Sequence, residues 1–408
     1  MRLANNPAFV IHDGLLMFGG VRASDVMMLA KPPFFVIVLD RARENCQTFS
    51  RIAQESFPSV RLFYSLKTNL QPALLRAIAA TDFGAQAVSA KEFDMALVAG
   101  FQPKDILIDG IYHDVETYKL TEKYDGLLFV ESWAKNITAL ENACKQHQKS
   151  ARLGLRFKFP KKGNRLGFSV GDGAAMSSLG EILSTCAHVT PCMLACHAGS
   201  QIQDPKAYAR ACNVLLDAQD ALEQRSGIDF QSPLMLDLGG GFPEPEMATP
   251  GFLRDAMAAI RDAITARHQL GRHIICFEPG RYIAGDAGAL VASMLHVFKD
   301  DDGSRWALLD IGMDVLTRFA NSHYRFFSLE HPEAPHGFPI SFQGRVPTEQ
   351  DVFGKGVHFI KEAVAGEHVL LLNCGAYSTT FSMRFSFEQP PTVVVDAGKC
   401  VLEKTMLP

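Results

Sequence analysis

The chain has 408 residues, 47% hydrophobic and 21% charged, with a formal net charge of -4. That length suits one large domain with a smaller one beside it, and the composition excludes a disordered or fibrous chain. The slightly acidic balance offers no broad basic field for nucleic acid or anionic lipid, and no apolar run reaches the roughly 18–20 residues of a membrane span, so small-molecule chemistry is expected. Nine scattered cysteines and a start, MRLANNPAFV, without a basic cluster or apolar signal core point to free thiols in a reducing cytoplasm. Cys192, Cys196 and His197 lie close together, but no second cluster completes four ligands; they are read as structural, and no metal is expected.

The first thirty residues, VIHDGLLMFGG included, hold short strand-like pieces and no barrel-type helix. From about residue 34, apolar runs alternate with helical patterns: FFVIVLD and a helix to Ser56, RLFYSLK and PALLRAIAA, AQAVS and KEFDMALVAG. DILIDG, GLLFVES, ARLGLRF, CMLACHAGS, PLMLDLGGG and IICFEPGRY continue the rhythm. Repeated strand and helix imply a parallel sheet, and about eight repeats predict a closed (β/α)8 TIM-type barrel, assigned to residues 32–282. After Arg281 the runs GALVASMLHVFKD, RWALLDIG, FPISFQG, EHVLLLN and PTVVVDAG have few long helices between them. They predict a mainly antiparallel β domain, built from residues 283–408 together with 1–31.

Chemistry is concentrated where these runs end. Lys67, in FYSLKTN, leaves an apolar strand at its carboxyl end and so projects into the barrel mouth, where a low-dielectric setting favours the neutral amine that attacks an aldehyde. Gly239, Gly240 and Gly241 follow LMLDL, where missing Cβ atoms let backbone N–H groups approach an anion such as phosphate. HAGSQ brings the flat imidazole of His197 and the hydroxyl of Ser200, and EPGR joins Glu278 to Arg281 across Pro279-Gly280. Tyr377 follows a glycine turn in the C-terminal β region. Each motif alone has a plain structural explanation: a strand-end lysine, a tight turn, a buried histidine, an ion pair.

Taken in order, these motifs resemble the fold-type III pyridoxal-phosphate (PLP) decarboxylases, a family that includes ornithine, diaminopimelate and carboxynorspermidine decarboxylases; the likeness runs from about Pro32 to Pro391. The resemblance implies PLP as cofactor, with Lys67 as its Schiff-base lysine, His197 stacked on the ring and Glu278 facing the pyridine nitrogen. It implies phosphate contacts from Ser200, Gly239 to Gly241, Gly280, Arg281 and Tyr377. Arg156 in GLRFKFP matches the family's barrel arginine, and Ser89 with Glu92 its S-x-x-E segment. A cytoplasmic homodimer with sites at the subunit interface, acting on a small amino-acid-like substrate, is the assembly implied.

Three positions depart from the family pattern. Pro347 stands where the family's proton-donating cysteine is expected, in a segment that the resemblance implies reaches into the partner subunit's barrel, although Asp351 of the same segment is kept as a substrate-pocket residue; His197, Lys67 or water are left as candidate donors. Gln86 replaces an aspartate near the Schiff base. Ile311 falls where ornithine-specific members place an acid, and Arg318 where diaminopimelate enzymes hold a distal carboxylate. These departures point to an amino acid or conjugate with an anionic or bulky distal part, in siderophore or other specialised-metabolite biosynthesis. A racemase or other PLP lyase on the same barrel, and a catalytically silent homologue acting through a partner, are the competing readings.

Overall fold

The computed structural model describes residues 1–403 except 229, 231–232, 268–269, 318–321 and 384. Three short strands, β1 (Phe9–His12), β2 (Leu15–Phe18) and β3 (Val21–Arg22), form a small antiparallel sheet. Asp13 and Gly14 turn β1 into β2 at φ of 50° and 72°, a left-handed conformation that glycine adopts freely and aspartate tolerates. Among the described residues this sheet makes no ladder with the C-terminal strands. Phe9, Phe18 and Val26 instead pack on the face of β4 (Phe34–Val38) and its neighbours.

Eight strands close into a parallel barrel: β5 (Val60–Ser65), β6 (Gly84–Ala87), β7 (Ile106–Asp109), β8 (Leu127–Glu131), β9 (Ala151–Phe157), β10 (Val189–Cys196), β11 (Leu234–Asp237) and β12 (His273–Phe277), with β12 paired back onto β5. Phe63, Leu107, Leu128, Val130, Met193 and Met235 fill its interior, so the barrel is a packed core below and a mouth above. Outside, helices such as Leu39–Ser56 and Phe252–Thr265 bury one apolar face against the strands. Ser89 caps the helix Ala90–Ala99 by accepting from Glu92 N, while Glu92 Oε2 accepts from Val88 N. This reciprocal pair, close to a capping box, fixes where the helix leaves β6.

The second domain is a nine-stranded sheet that adds β13 (Gly288–Lys299), β14 (Arg305–Leu309), β15 (Arg325–Ser328), β16 (Phe338–Gln343), β17 (Val352–Phe359), β18 (His368–Leu372), β19 (Thr392–Asp396) and β20 (Lys399–Glu403). Its ninth member is β4, antiparallel to β13 and parallel to β19. The strand FFVIV, expected to open the barrel, therefore belongs to the outer sheet, and the barrel starts at β5. Two close approaches weld the domains. A Cβ on Gly375 would lie 1.8 Å from Ala284 O, and one on Gly288 2.3 Å from Gly375 Cα, so both positions admit only glycine. Tyr377 N donates to Thr68 O at 2.8 Å and Asn69 Nδ2 to Gly375 O at 2.9 Å, tying the outer domain to the loop that carries Lys67.

Candidate active site

The carboxyl ends of seven barrel strands and one segment of the outer domain enclose a cavity of about 580 Å³. Lys67, Arg156, His197, Ser200, Gly239, Gly240, Gly241, Glu278, Gly280, Arg281 and Tyr377 all line it, so motifs up to 310 residues apart in sequence meet in one place.

Lys67 sits in a single turn, Leu66–Thr68, just beyond β5, half-buried, and its Nζ donates to Gln86 Oε1 at 3.2 Å. Across the mouth, β11 runs into the glycine loop. Gly239 and Gly241 take φ of 65° and 87°, and added Cβ atoms at 239, 240 and 241 would lie 2.7 Å from His197 Nδ1, 2.5 Å from Glu278 O and 2.3 Å from Gly199 O. The three glycines thus hold backbone against backbone where side chains would otherwise fill the cavity. We expect Gly241→Ala to fold but to weaken cofactor binding at least about tenfold, measured by fluorescence titration of the apoprotein, because its φ and its space are both forbidden to alanine.

Charge is arranged in layers. At the floor, Glu278 and Asp237 are both buried; burial, then the neighbouring negative charges of Asp237 and Asp109, hold the Glu278 carboxyl well above the usual range, with the Lys67 cation opposing. Burial raises the Asp237 carboxyl as well, but its contact with Glu278 and the bond that Gly239 N donates to Asp237 Oδ1 at 2.9 Å oppose this, so of the pair Glu278 is the one that holds the proton. Arg156 Nη1 lies 3.3 and 3.4 Å from the two carboxylate oxygens of Asp109. Burial, with Arg156 and Lys67 as nearby cations, pushes the His197 imidazole down to about 3, so the ring is neutral at ordinary pH. Gly240 N donates to His197 Nδ1 at 3.4 Å, which leaves the ring proton on Nε2. At the opposite wall Arg281 Nη1 donates to Glu244 Oε1 at 3.0 Å, Gln201 Nε2 donates to Glu244 Oε2 at 2.7 Å, and the guanidinium stands 5.1 Å from the Tyr377 ring centroid. Tyr377 keeps φ of 58°, a costly conformation for a tyrosine that its N–H bond to Thr68 O maintains.

The donor set suits a phosphorylated pyridine aldehyde: an amine, a glycine cradle with an arginine and a phenol, a neutral flat imidazole, and a buried protonated carboxyl. One expected residue does not line this cavity within the single chain. Asp351 lines a separate recess with Pro347, and its oxygens accept from Met313 N at 2.7 Å and Val346 N at 2.8 Å. Its carboxylate braces its own loop, and the barrel this segment is expected to serve is the partner subunit's. Ile311, at the position where ornithine-specific members place an acid, is fully buried in the core of the outer domain. Arg318 lies outside the described residues. Asp109 and Glu244 were missed, as was a role for Asp237; Asp109 and Asp237 end apolar strands as Lys67 nearly does, and that shared position was the available signal.

A barrel mouth of this kind, joined to a β domain that supplies a tyrosine, defines the class of barrel-type pyridoxal-dependent decarboxylases. The model of the pyridoxal-binding domain of these decarboxylases matches residues 44–285, and the chain belongs to that family. It is a PLP-dependent carboxy-lyase of the amino-acid decarboxylase type. The diaminopimelate decarboxylase of Methanothermobacter thermautotrophicus is 28% identical, over 96% of this chain and 94% of its own length. The lysine/ornithine decarboxylase of Selenomonas ruminantium is 25% identical over 91% and 92%. The solved structure of diaminopimelate decarboxylase from M. jannaschii in complex with L-lysine shares the fold, with a TM-score of 0.86 over 99% of this chain and 96% of that one at 20% identity.

Proposed function

We propose that Lys67 is the cofactor lysine and that the substrate is an amino acid or amino-acid conjugate whose distal part is anionic or bulky. The observation that carries the substrate reading is the loop after β9. It holds Lys158, Lys161, Lys162 and Arg165 with no acid before Asp172, and its Leu166 lines the cavity beside Ile111, Tyr112 and Phe381. A basic, partly apolar rim attracts an anion and accommodates bulk, and opposes a bare distal ammonium.

Bound in the cavity, PLP supplies the electron sink that lets a carboxylate leave an α-carbon. The chain's own groups bind and orient. Gly239 to Gly241, Ser200, Arg281 and Tyr377 are assigned to the phosphate, with Glu244 and Gln201 fixing the arginine's angle. Glu278 is assigned to the pyridine nitrogen, where its high proton affinity lets it keep a proton between the two atoms. His197, uncharged, offers a flat face without adding a competing charge. Its Nε2–H, the Lys67 amine and water are the donors assigned to the reacting carbon, since Pro347 has no proton to give.

We also infer a homodimer. Phe381, Met383, Phe385 and Phe387 expose 38%, 47%, 44% and 42% of their surface in one short segment that begins at the mouth, an arrangement suited to a subunit interface. All nine cysteines are free, in keeping with the proposed cytoplasmic setting. The proposal of a specialised pathway, siderophore assembly included, rests on the departures at 86, 311 and 347.

The test is carbon dioxide release from a panel of amino acids graded by distal charge and size. Turnover of members with distal carboxylates or bulky conjugates is expected, and turnover confined to lysine and ornithine sinks the substrate reading. Charge reversal at Lys161 and Lys162 together should raise KM for an anionic member about three- to tenfold with kcat kept, the size expected of solvent-exposed charges.

A further inference from the structure

We propose that Gln86 is a positioning residue for Lys67: a neutral amide, locked in orientation, that accepts a hydrogen bond from the amine without adding a charge to its protonation balance. Gln86 lies on β6, fully buried. Its Oε1 accepts from Ser65 Oγ at 2.6 Å as well as from Lys67 Nζ at 3.2 Å, and its Nε2 donates to Asp109 O at 2.8 Å. The Nε2 bond fixes which end of the amide faces the lysine, because a flipped amide would set its oxygen against Asp109 O and an N–H against the amine. Ser65 and Lys67 flank Leu66, so one oxygen anchors both sides of the turn that carries the lysine.

The titratable and charged groups around that amine are otherwise many. Glu92 reaches it electrostatically from the helix after β6, Glu278 from the end of β12 and His197 from the end of β10, while the Arg156–Asp109 pair, Asp237 and Arg281 share the cavity. With Glu92 already acting on the lysine and Asp109 and Asp237 sharing the cavity, a further carboxylate at position 86, in direct contact, would bind the proton more tightly at the atom that must give it up. The amide keeps the geometry and omits that charge.

This inference rests on Lys67 as the cofactor lysine. Its test is a pH titration of the visible absorbance of the cofactor-loaded protein in two variants. Gln86→Glu keeps the shape but places a carboxylate against the linked nitrogen, and should raise the midpoint by about one pH unit or more. Gln86→Leu removes the acceptor without adding charge, and should lower the midpoint by about half a unit. General loosening of the site cannot yield shifts of opposite sign. Midpoints that stay at the wild-type value in both loaded variants, or move in the same direction, overturn the role of Gln86. A visible band that persists unaltered in Lys67→Ala overturns instead the lysine assignment beneath it.

Discussion

Replacing Lys67 with alanine is expected to lower carbon dioxide release by about 10³-fold or more, the scale on which removal of a covalent catalytic group acts. The same substitution should leave the fold intact. Lys67 is half-buried and, among the described residues, its amine makes one hydrogen bond, to Gln86, whose oxygen keeps its bond from Ser65, so the substitution leaves that amide oxygen partnered. The cost to stability should stay within about 1 kcal/mol, the usual size of one replaced hydrogen bond. Turnover, visible absorbance with added PLP and thermal melting, measured on one preparation, separate chemistry from folding. The phosphate cradle, Gly239 to Gly241 with Arg281, is untouched, so the variant should still bind PLP, though reversibly and without the wild-type band. Full turnover by the variant would remove Lys67 from the mechanism.

The parallel barrel was legible because βα repeats impose a rhythm that few other folds share. The outer sheet was legible from runs such as those at 288–299 and 368–372. The error at β4 has a physical cause. Phe34, Val36 and Val38 pack toward the N-terminal sheet, Phe35 into the core of the outer domain and Ile37 into the core that surrounds the barrel. Both faces are buried, so the strand shows no polar alternation and reads like a barrel strand, the more so because an 18-residue helix follows it. Nine runs competed for eight barrel places, and sequence periodicity has no means to say which one pairs elsewhere. Strands β15, β17 and β20 were unread for the opposite reason: edge or partly solvated strands, such as β17 with GKGVH inside it, carry little apolar signal.

At the site, the residues that were legible stand in compact motifs at strand ends, where backbone geometry dictates the residue type. Glycines 239 to 241 are an example, for their spacing to Glu278 O and Gly199 O excludes any Cβ. What escaped was pairing across the barrel. Asp109 becomes meaningful only once β7 and β9 bring it to Arg156, and Glu244 only once it meets Arg281 and Gln201. Asp351 belongs to a segment expected to reach a partner subunit's barrel, and within its own chain two backbone N–H groups bond to its oxygens.

Glu278→Gln should separate catalysis from stability at one atom. Glutamine preserves volume and an N–H donor toward Asp237, but it cannot exchange a proton with a pyridine nitrogen, and turnover is expected to fall about 10²- to 10⁴-fold. The apoprotein should meanwhile become more stable, and the gain should depend on pH. Burial and the charges of Asp237 and Asp109 raise the folded-state proton affinity of Glu278 above that of an unfolded glutamate, whose pKa is about 4.3. Above that pH the unfolded chain has released the proton while the folded chain still holds it, so folding takes up a proton and wild-type stability declines as pH rises, by up to about 1.4 kcal/mol per unit until the folded group ionises. Glutamine lacks that slope. The difference in Tm, variant minus wild type, should therefore be smallest near pH 4 and grow through neutrality, each kcal/mol appearing as roughly 2–4 °C in a protein of this kind or somewhat less at this size. Cofactor should reverse the order, since a pyridine nitrogen placed against Glu278 gives its carboxylate the partner that the empty barrel denies it, and wild type should gain more Tm from added PLP than the variant does. A difference in Tm that is flat with pH would mean that Glu278 is already ionised in the apoprotein, and that the proton assigned to this pair resides elsewhere.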